Sequence, residues 1–264
     1  MHDNRRIRLM GCPFDAITQG QALEKCFRWR EQPRTSRLLI TVNVGILMMM
    51  RKDPQLKEAC LGAELVVADG LPVVWASRLL GVPLPGRVSG VDLMQRLLVD
   101  GGARHLRVYL LGATEEVVTT LVRDIEQNYA GVRVVGYRNG FFSPDDYPDV
   151  VQDIRQNRAD VLFVGMPTPF KEVWCHRYRE ELGTPAIIGV GGSFDVLAGF
   201  VRRAPRWMQN CGMEWFWRVL MEPRRMWKRY LTTNSLFLLL LGRMLLDRWL
   251  ADPIPAGRQV EPYR

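Results

Sequence analysis

The sequence predicts an α/β protein: a Rossmann-like, open, mostly parallel sheet with helices on both faces, extended by a C-terminal helical appendage. Three observations carry the prediction. Short, continuously apolar, β-branched runs alternate with segments of helical period, the pattern of parallel strands covered on both faces. Glycine and small polar residues recur where those runs end. Charge is also segregated, with 24 Lys/Arg against 23 Asp/Glu in residues 1–199 but 12 against 5 in residues 200–264.

Taken in order, "RLLITVN" (37–43) is a strand leading into a helical stretch that ends near Met50, and "AELVVAD" (63–69) is a second strand. "LPVVWASRLLG" follows as a helix whose Pro72 suits a first turn, and "VDLMQRLLVDGG" is a helix stopped by paired glycines. "LRVYLLGAT" (106–114) is a strand, with Thr114 as helix N-cap and Glu115 and Glu116 in an acidic first turn. "VRVVGY" is the next strand, followed by a helix near 149–157. "DVLFVGMP" (160–167) leads into a helix over 169–182, and "PAIIGVGG" (185–192) into another. The expected organisation is a Rossmann-like core over 1–201 and a basic, aromatic, helical appendage over 202–264.

Composition narrows the function. An apolar fraction of 47% with 24% charged residues is that of a folded globular chain. Five scattered cysteines, with no Cys-x-x-Cys pair, argue against a disulfide framework or zinc site and suit a reducing cytosol. Only three histidines are present, so a histidine-based metal site is not expected. The charged start "MHDNRRIRLMGCPFDAIT" lacks a signal-peptide core, and the apolar run from Leu236 is cut by Gly242 and Arg243, too short to span a bilayer.

Ligands of such sheets bind beyond the strand carboxyl ends. Those ends hold Thr41 and Asn43, Asp69 and Gly70, Gly112 to Thr114, Gly165 to Pro167, and Gly189 to Ser193, with Gly191 and Gly192 at the last. Recurring glycines let main-chain N–H groups approach an anion, although each alone would also serve to turn a strand into a helix. No Gly-x-Gly-x-x-Gly follows a strand and no Gly-x4-Gly-Lys-Ser/Thr occurs, which disfavours a nicotinamide-dependent enzyme without excluding it. A non-catalytic, membrane-associated nucleotide-binding protein is the other alternative.

Four blocks, "TVN", "ADGLPVVWASRLLGVPLPGRVSGVDLM", "VGMPTPFKE" and "VGGSFDVLAGFVRRAPRWMQNCGMEWFWRVLMEPRRMWKRYL", resemble the WecG/TagA/CpsF family of bacterial glycosyltransferases, glycosyltransferase family 26, over about residues 10–235. The resemblance implies inverting, metal-independent transfer of a sugar, such as N-acetylmannosamine, its uronic acid or glucose, from a UDP-sugar to a polyprenyl-diphosphate-linked saccharide. It implies no cofactor, the UDP-sugar being a co-substrate, and work as a peripheral protein at the cytoplasmic face of the cell membrane in cell-surface or exopolysaccharide synthesis. The family's proposed base falls on Asp69, whose other reading is a helix cap. Arg87 falls on a family arginine near the diphosphate, where a forked guanidinium suits the leaving charge. Thr41 and Asn43 match sugar-contacting positions and Asp195 a nucleotide-binding one, while strand capping and first-turn charge would place the same residues without a ligand. Where the family has Gln-Glu, this chain has Lys171 before Glu172, a departure that bears on donor identity. No Asp-x-Asp occurs, and metal-using UDP enzymes usually rely on such paired carboxylates.

The C-terminal stretch "MEWFWRVLMEPRRMWKRYL" sets aromatic rings among arginines and lysines. Pro223 is expected to begin a helix. At about 100° per residue, Arg224, Arg225, Lys228 and Arg229 share one side and Trp227, Tyr230 and Leu231 the other. Such a helix suits a bilayer's headgroup boundary, with cations on anionic lipid. Because rings and charges are segregated and no nucleic-acid motif occurs, nucleic acid is not an expected partner; a packed helix with a solvated basic back is the plain alternative. By resemblance the appendage closes over the site, with Arg218 and Arg225 reaching a diphosphate. Self-association is left open.

Overall fold

A computed structural model describes residues 5–221 and 223–251, apart from the side chains of 224–226, 229 and 251. The chain runs through β1 (Arg6–Leu9), β2 (Cys12–Asp15), α1 (Gln19–Glu31), β3 (Arg37–Val42), α2 (Val44–Met49), α3 (Pro54–Gly62) and β4 (Leu65–Ala68). Next come α4 (Leu71–Leu79), α5 (Gly90–Gly101), β5 (Arg107–Gly112), α6 (Glu115–Asn128), β6 (Arg133–Arg138), α7 (Tyr147–Asn157) and β7 (Val161–Gly165). It closes with α8 (Phe170–Leu182), β8 (Ala186–Gly189), α9 (Ser193–Leu197), α10 (Arg206–Asn210), α11 (Glu214–Met221) and α12 (Pro223–Ala251).

Six strands form one sheet in the order β4-β3-β8-β7-β5-β6, and every neighbouring pair is parallel. Successive side chains leave a strand on opposite faces, so a doubly covered strand must be apolar throughout. In β3, Leu38 and Ile40 enter one core with α2, α3, α4, α7 and α8, while Leu39 enters the other with α1, α5, α6 and α9. The same alternation holds in β7, where Leu162 and Val164 face one core and Val161 and Phe163 the other. This is the predicted doubly wound α/β architecture. Thr114 caps α6 as expected, its side chain accepting from the Val117 N–H at 3.3 Å.

Four elements, β1, β2, α1 and α3, go beyond the sequence reading, which assigns none before residue 37 and none over 54–62. The hairpin β1–β2 has four-residue strands, too short to display a period, joined by Met10 and Gly11 at φ 50° and 88°, the positive pair a two-residue connection requires. Asp15 anchors it to the sheet edge by accepting from the Val66 N–H at 2.8 Å and pairing with Arg6 at 2.8 Å. Helix α1 opens on a Thr18–Gln21 capping box, and α3 on an Asp53 cap with Pro54 in the first turn.

The C-terminal region is helical, as predicted. α12 starts at Pro223 and continues through Gly242 without a break. It lies against α2 and α11, and its Phe237 is 4% exposed, inserted into the core beside the sheet. Residues 252–264 of the expected appendage lie outside the described residues.

Candidate active site

The chain leaves β3 toward one face through α2 and leaves neighbouring β8 toward the other through α9, which opens a crevice between their carboxyl ends. Thr41, buried at the end of β3, donates from Oγ1 to the Gly189 carbonyl of β8 at 3.4 Å. Asn43 caps α2, its Oδ1 accepting from the Ile46 N–H at 3.1 Å, which leaves the amide NH2 for other partners. The first turn of α5 abuts the same place: a Cβ placed on Gly90 would lie 3.7 Å from Thr41 Oγ1 and 3.8 Å from Ser193 Oγ.

Asp69 follows the last residue of β4, and its N–H donates to the Val42 carbonyl at 2.9 Å, so the strand ladder fixes its backbone. The next helix takes its N-cap from Gly70, at φ 135°, with no side-chain cap. Asp69 is therefore not spent on capping α4, and among the described residues its carboxylate has no hydrogen-bond or ion-pair partner. Burial, together with the nearby Glu214 carboxylate, pushes its pKa from 3.8 up to about 6, against the pull of Arg218 and Arg87.

Arg87, on the loop between α4 and α5, reaches Glu214 at 2.9 Å and Asp92 at 3.5 Å. Arg203 binds Asp92 at 2.5 Å and lies 3.6 Å from Glu214. Burial works against the Asp92 charge, but Arg203 outweighs it and brings the pKa below its ordinary value. These two arginines and two carboxylates fasten the first turn of α11 to the first turn of α5, directly beside Asp69. In this state the Arg87 fork is held by protein carboxylates instead of facing an empty crevice. Sequence reasoning missed Asp92, Arg203 and Glu214. The latter two sit inside the "RRAP" and "GMEW" stretches, and only their long-range pairing marks them.

Lys171 and Glu172 open α8 and are buried. The Lys171 ammonium donates to Glu172 Oε1 and, at 2.6 Å, to Thr168 Oγ1. Glu172 Oε2 is buried and has no partner among the described residues. The lysine stem lies beneath the loop after β8: a Cβ placed on Gly191, at φ 53°, would meet Lys171 Cε at 3.9 Å. One on Gly192 would meet Asp195 Oδ2 at 3.9 Å, so Asp195, in the first turn of α9, folds back over that loop.

The tail residues divide. Arg218 is exposed on α11 and close enough to lower the Asp69 pKa. Trp227 and Leu231 are exposed on α12, but Tyr230 turns toward Trp215 of α11, ring centroids 5.9 Å apart, so the ring side of the helix is shared between solvent and protein. Lys228 Nζ lies 5.6 Å over the Trp227 ring, so cation and ring adjoin there instead of opposing each other. Arg224, Arg225 and Arg229 have their backbone in α12, and their side chains lie outside the described residues. Among the described residues no three His, Cys, Asp or Glu side chains are grouped to hold a metal ion, and no helix is long and apolar enough to cross a membrane.

Residues 7–250 match the model of the glycosyl transferase WecG/TagA/CpsF family. The chain is 34% identical over 195 residues to an N-acetylglucosaminyldiphosphoundecaprenol N-acetyl-beta-D-mannosaminyltransferase of Bacillus subtilis (strain 168), covering 74% of this chain and 75% of the relative. It is 32% identical over 225 residues to the protein of the same description from Staphylococcus aureus (strain MW2), covering 85% and 86%.

Proposed function

The chain belongs to the WecG/TagA/CpsF family of glycosyl transferases, and on that premise we propose that it transfers a hexose from a UDP-sugar to a saccharide carried on polyprenyl diphosphate. Its B. subtilis and S. aureus relatives are named for a diphosphoundecaprenol-linked acceptor, which supports the acceptor class. The observation that carries the reading is Asp69: a carboxylate at a strand end, unpaired among the described residues, with its pKa raised to about 6 and within the electrostatic reach of Arg218 and Arg87. That is the profile of a general base working near neutrality.

In the proposed reaction the acceptor hydroxyl attacks the anomeric carbon from the side opposite UDP. The new C–O bond forms as the bond to the UDP oxygen breaks, and Asp69 takes the hydroxyl proton. UDP leaves with the electron pair, so the configuration inverts. Arg218, Arg87 once it exchanges Glu214 for phosphate oxygens, and the main-chain N–H groups of the loop at Gly191 and Gly192 meet that charge. No metal is required in this scheme. Asn43 and Thr41 offer donors and acceptors to sugar and nucleotide hydroxyls, and the buried Glu172 carboxylate fixes the Lys171 ammonium beneath them. The exposed apolar and basic side chains of α11 and α12 suit a peripheral position on an anionic membrane surface, the inner face of the cell membrane, where the lipid-linked acceptor resides.

The test offers a panel of UDP-sugars with a short lipid diphosphate-linked glucose or N-acetylglucosamine and measures UDP release. UDP release with one donor and abolition by Asp69→Asn are expected; no release with any pair, or undiminished release by the variant, refutes the reading.

A further inference from the structure

We propose that the outer ridge of α4 is the track along which the acceptor's isoprenoid chain leaves the active site, an inference that rests on the transferase reading above. Leu71, Trp75 and Leu79 recur every fourth residue, so they stack along one side of α4 over about 12 Å. The ridge begins two residues after Asp69, which ties it to the reacting end of the crevice. Its inner neighbours Val73, Val74 and Ala76 are fully buried, yet Trp75 is 44% and Leu79 57% exposed.

The ridge is bracketed. At its near end the turn between α10 and α11 leans on it: a Cβ placed on Gly212 would lie 2.8 Å from the Trp75 ring and 3.3 Å from Leu71 Cβ. At its far end the last turns of α12 arrive, Arg248 Nη1 standing 3.5 Å from the Leu79 carbonyl. Charge and greasiness are ordered along this path. Arg87 and Arg218 stand near Asp69, where the saccharide and diphosphate belong, and the apolar ridge leads outward from them. An amphiphile with an anionic head and a branched hydrocarbon tail complements that order, and no wholly polar ligand does. The ridge lies on the body of the protein, so the tail would be recognised by a helix contiguous with the base as well as by the appendage.

The experiment uses the full chain in detergent-free, vesicle-free solution, so that no bilayer can supply the apolar contact. Two acceptors carry the same saccharide diphosphate, one as the methyl ester and one as the farnesyl ester below its aggregation limit. The wild-type chain is expected to favour the farnesyl ester about tenfold or more in kcat/KM, through KM. Leu79→Ser and Trp75→Ala should each reduce that ratio about fivefold. Leu61→Ser, at an exposed position of α3, should keep the wild-type ratio. Because the quantity is a ratio within each variant, a general loss of active protein cancels. Leu79→Ser, a surface change, carries the test if Trp75→Ala fails to fold.

Methyl-ester turnover with no wild-type preference for the farnesyl tail overturns the proposal and leaves the transferase reading standing. A wild-type ratio in Leu79→Ser, or an equal fall in Leu61→Ser, also overturns it. Turnover of neither ester overturns both.

Discussion

Arg87 donates to Glu214 across 2.9 Å, a bond that ties the loop before α5 to the first turn of α11 and leaves the guanidinium beside Asp69 without pairing to it. Glu214 thereby acts twice. It holds Arg87 away from the Asp69 carboxylate, and its own charge disfavours ionisation of Asp69. Both effects keep the Asp69 proton affinity high.

Asp69→Asn should abolish transfer, by at least about a hundredfold, while UDP-sugar still raises the melting temperature. The same variant should be more stable than the parent at pH 7. The folded pKa is raised above the ordinary 3.8, so the native state favours the protonated form. That contribution is fully present below pH 3.8 and is lost as pH rises through about 6, leaving a desolvated charge above it. Asparagine removes that charge, for a gain of about 1–2 kcal/mol after allowance for partial exposure. Thermal melts at pH 5 and 7.5 should show a benefit that is larger at the higher pH.

The proposed base role of Asp69 predicts that kcat/KM rises with pH along a limb whose midpoint lies near 6, since only a carboxylate can take the hydroxyl proton. Glu214→Gln removes the nearby negative charge and releases Arg87. The midpoint should therefore move to lower pH, read from the acidic limb with a saturating donor. A midpoint unchanged in the variant would separate Glu214 from the base.

Phe237→Ala should cost about 3 kcal/mol, measured as the shift in the urea midpoint, since a nearly buried ring would leave a void against the core beside α2. The loss would show that α12 belongs to the folding unit of the sheet. An appendage that merely rests on the surface would lose well under 1 kcal/mol.

Leu246→Ser combined with Trp249→Ala changes two exposed side chains near the end of α12. Retention on anionic vesicles, followed by co-sedimentation, should fall several-fold with the melting temperature within about 2 °C of the parent. Unchanged retention would place the membrane contact elsewhere on the protein.

Much of this protein can be read without coordinates because its physics is local. Continuous apolar runs such as 37–43 and 160–167 can be satisfied only by a sheet covered on both faces, and the structure shows that sheet. Thr114 and Pro223 mark helix starts because caps and proline act within one turn. Asp69, Thr41 and Asn43 could be shortlisted because strand ends are where a parallel sheet presents its ligands. The early hairpin escaped notice because four residues are too few to show alternation.

Sequence by itself determined the layered α/β architecture, the strand-end location of the crevice and the basic, aromatic character of the tail, all of which follow from periodicity and composition. Tertiary structure alone decided that Asp69 is free of its neighbouring helix, that Glu214 and Arg203 close a charge network with Arg87 and Asp92, and that Phe237 belongs to the core. Those outcomes depend on which distant segments touch, and a carboxylate's proton affinity is set by the charges and the water around it, which a linear order of residues does not specify.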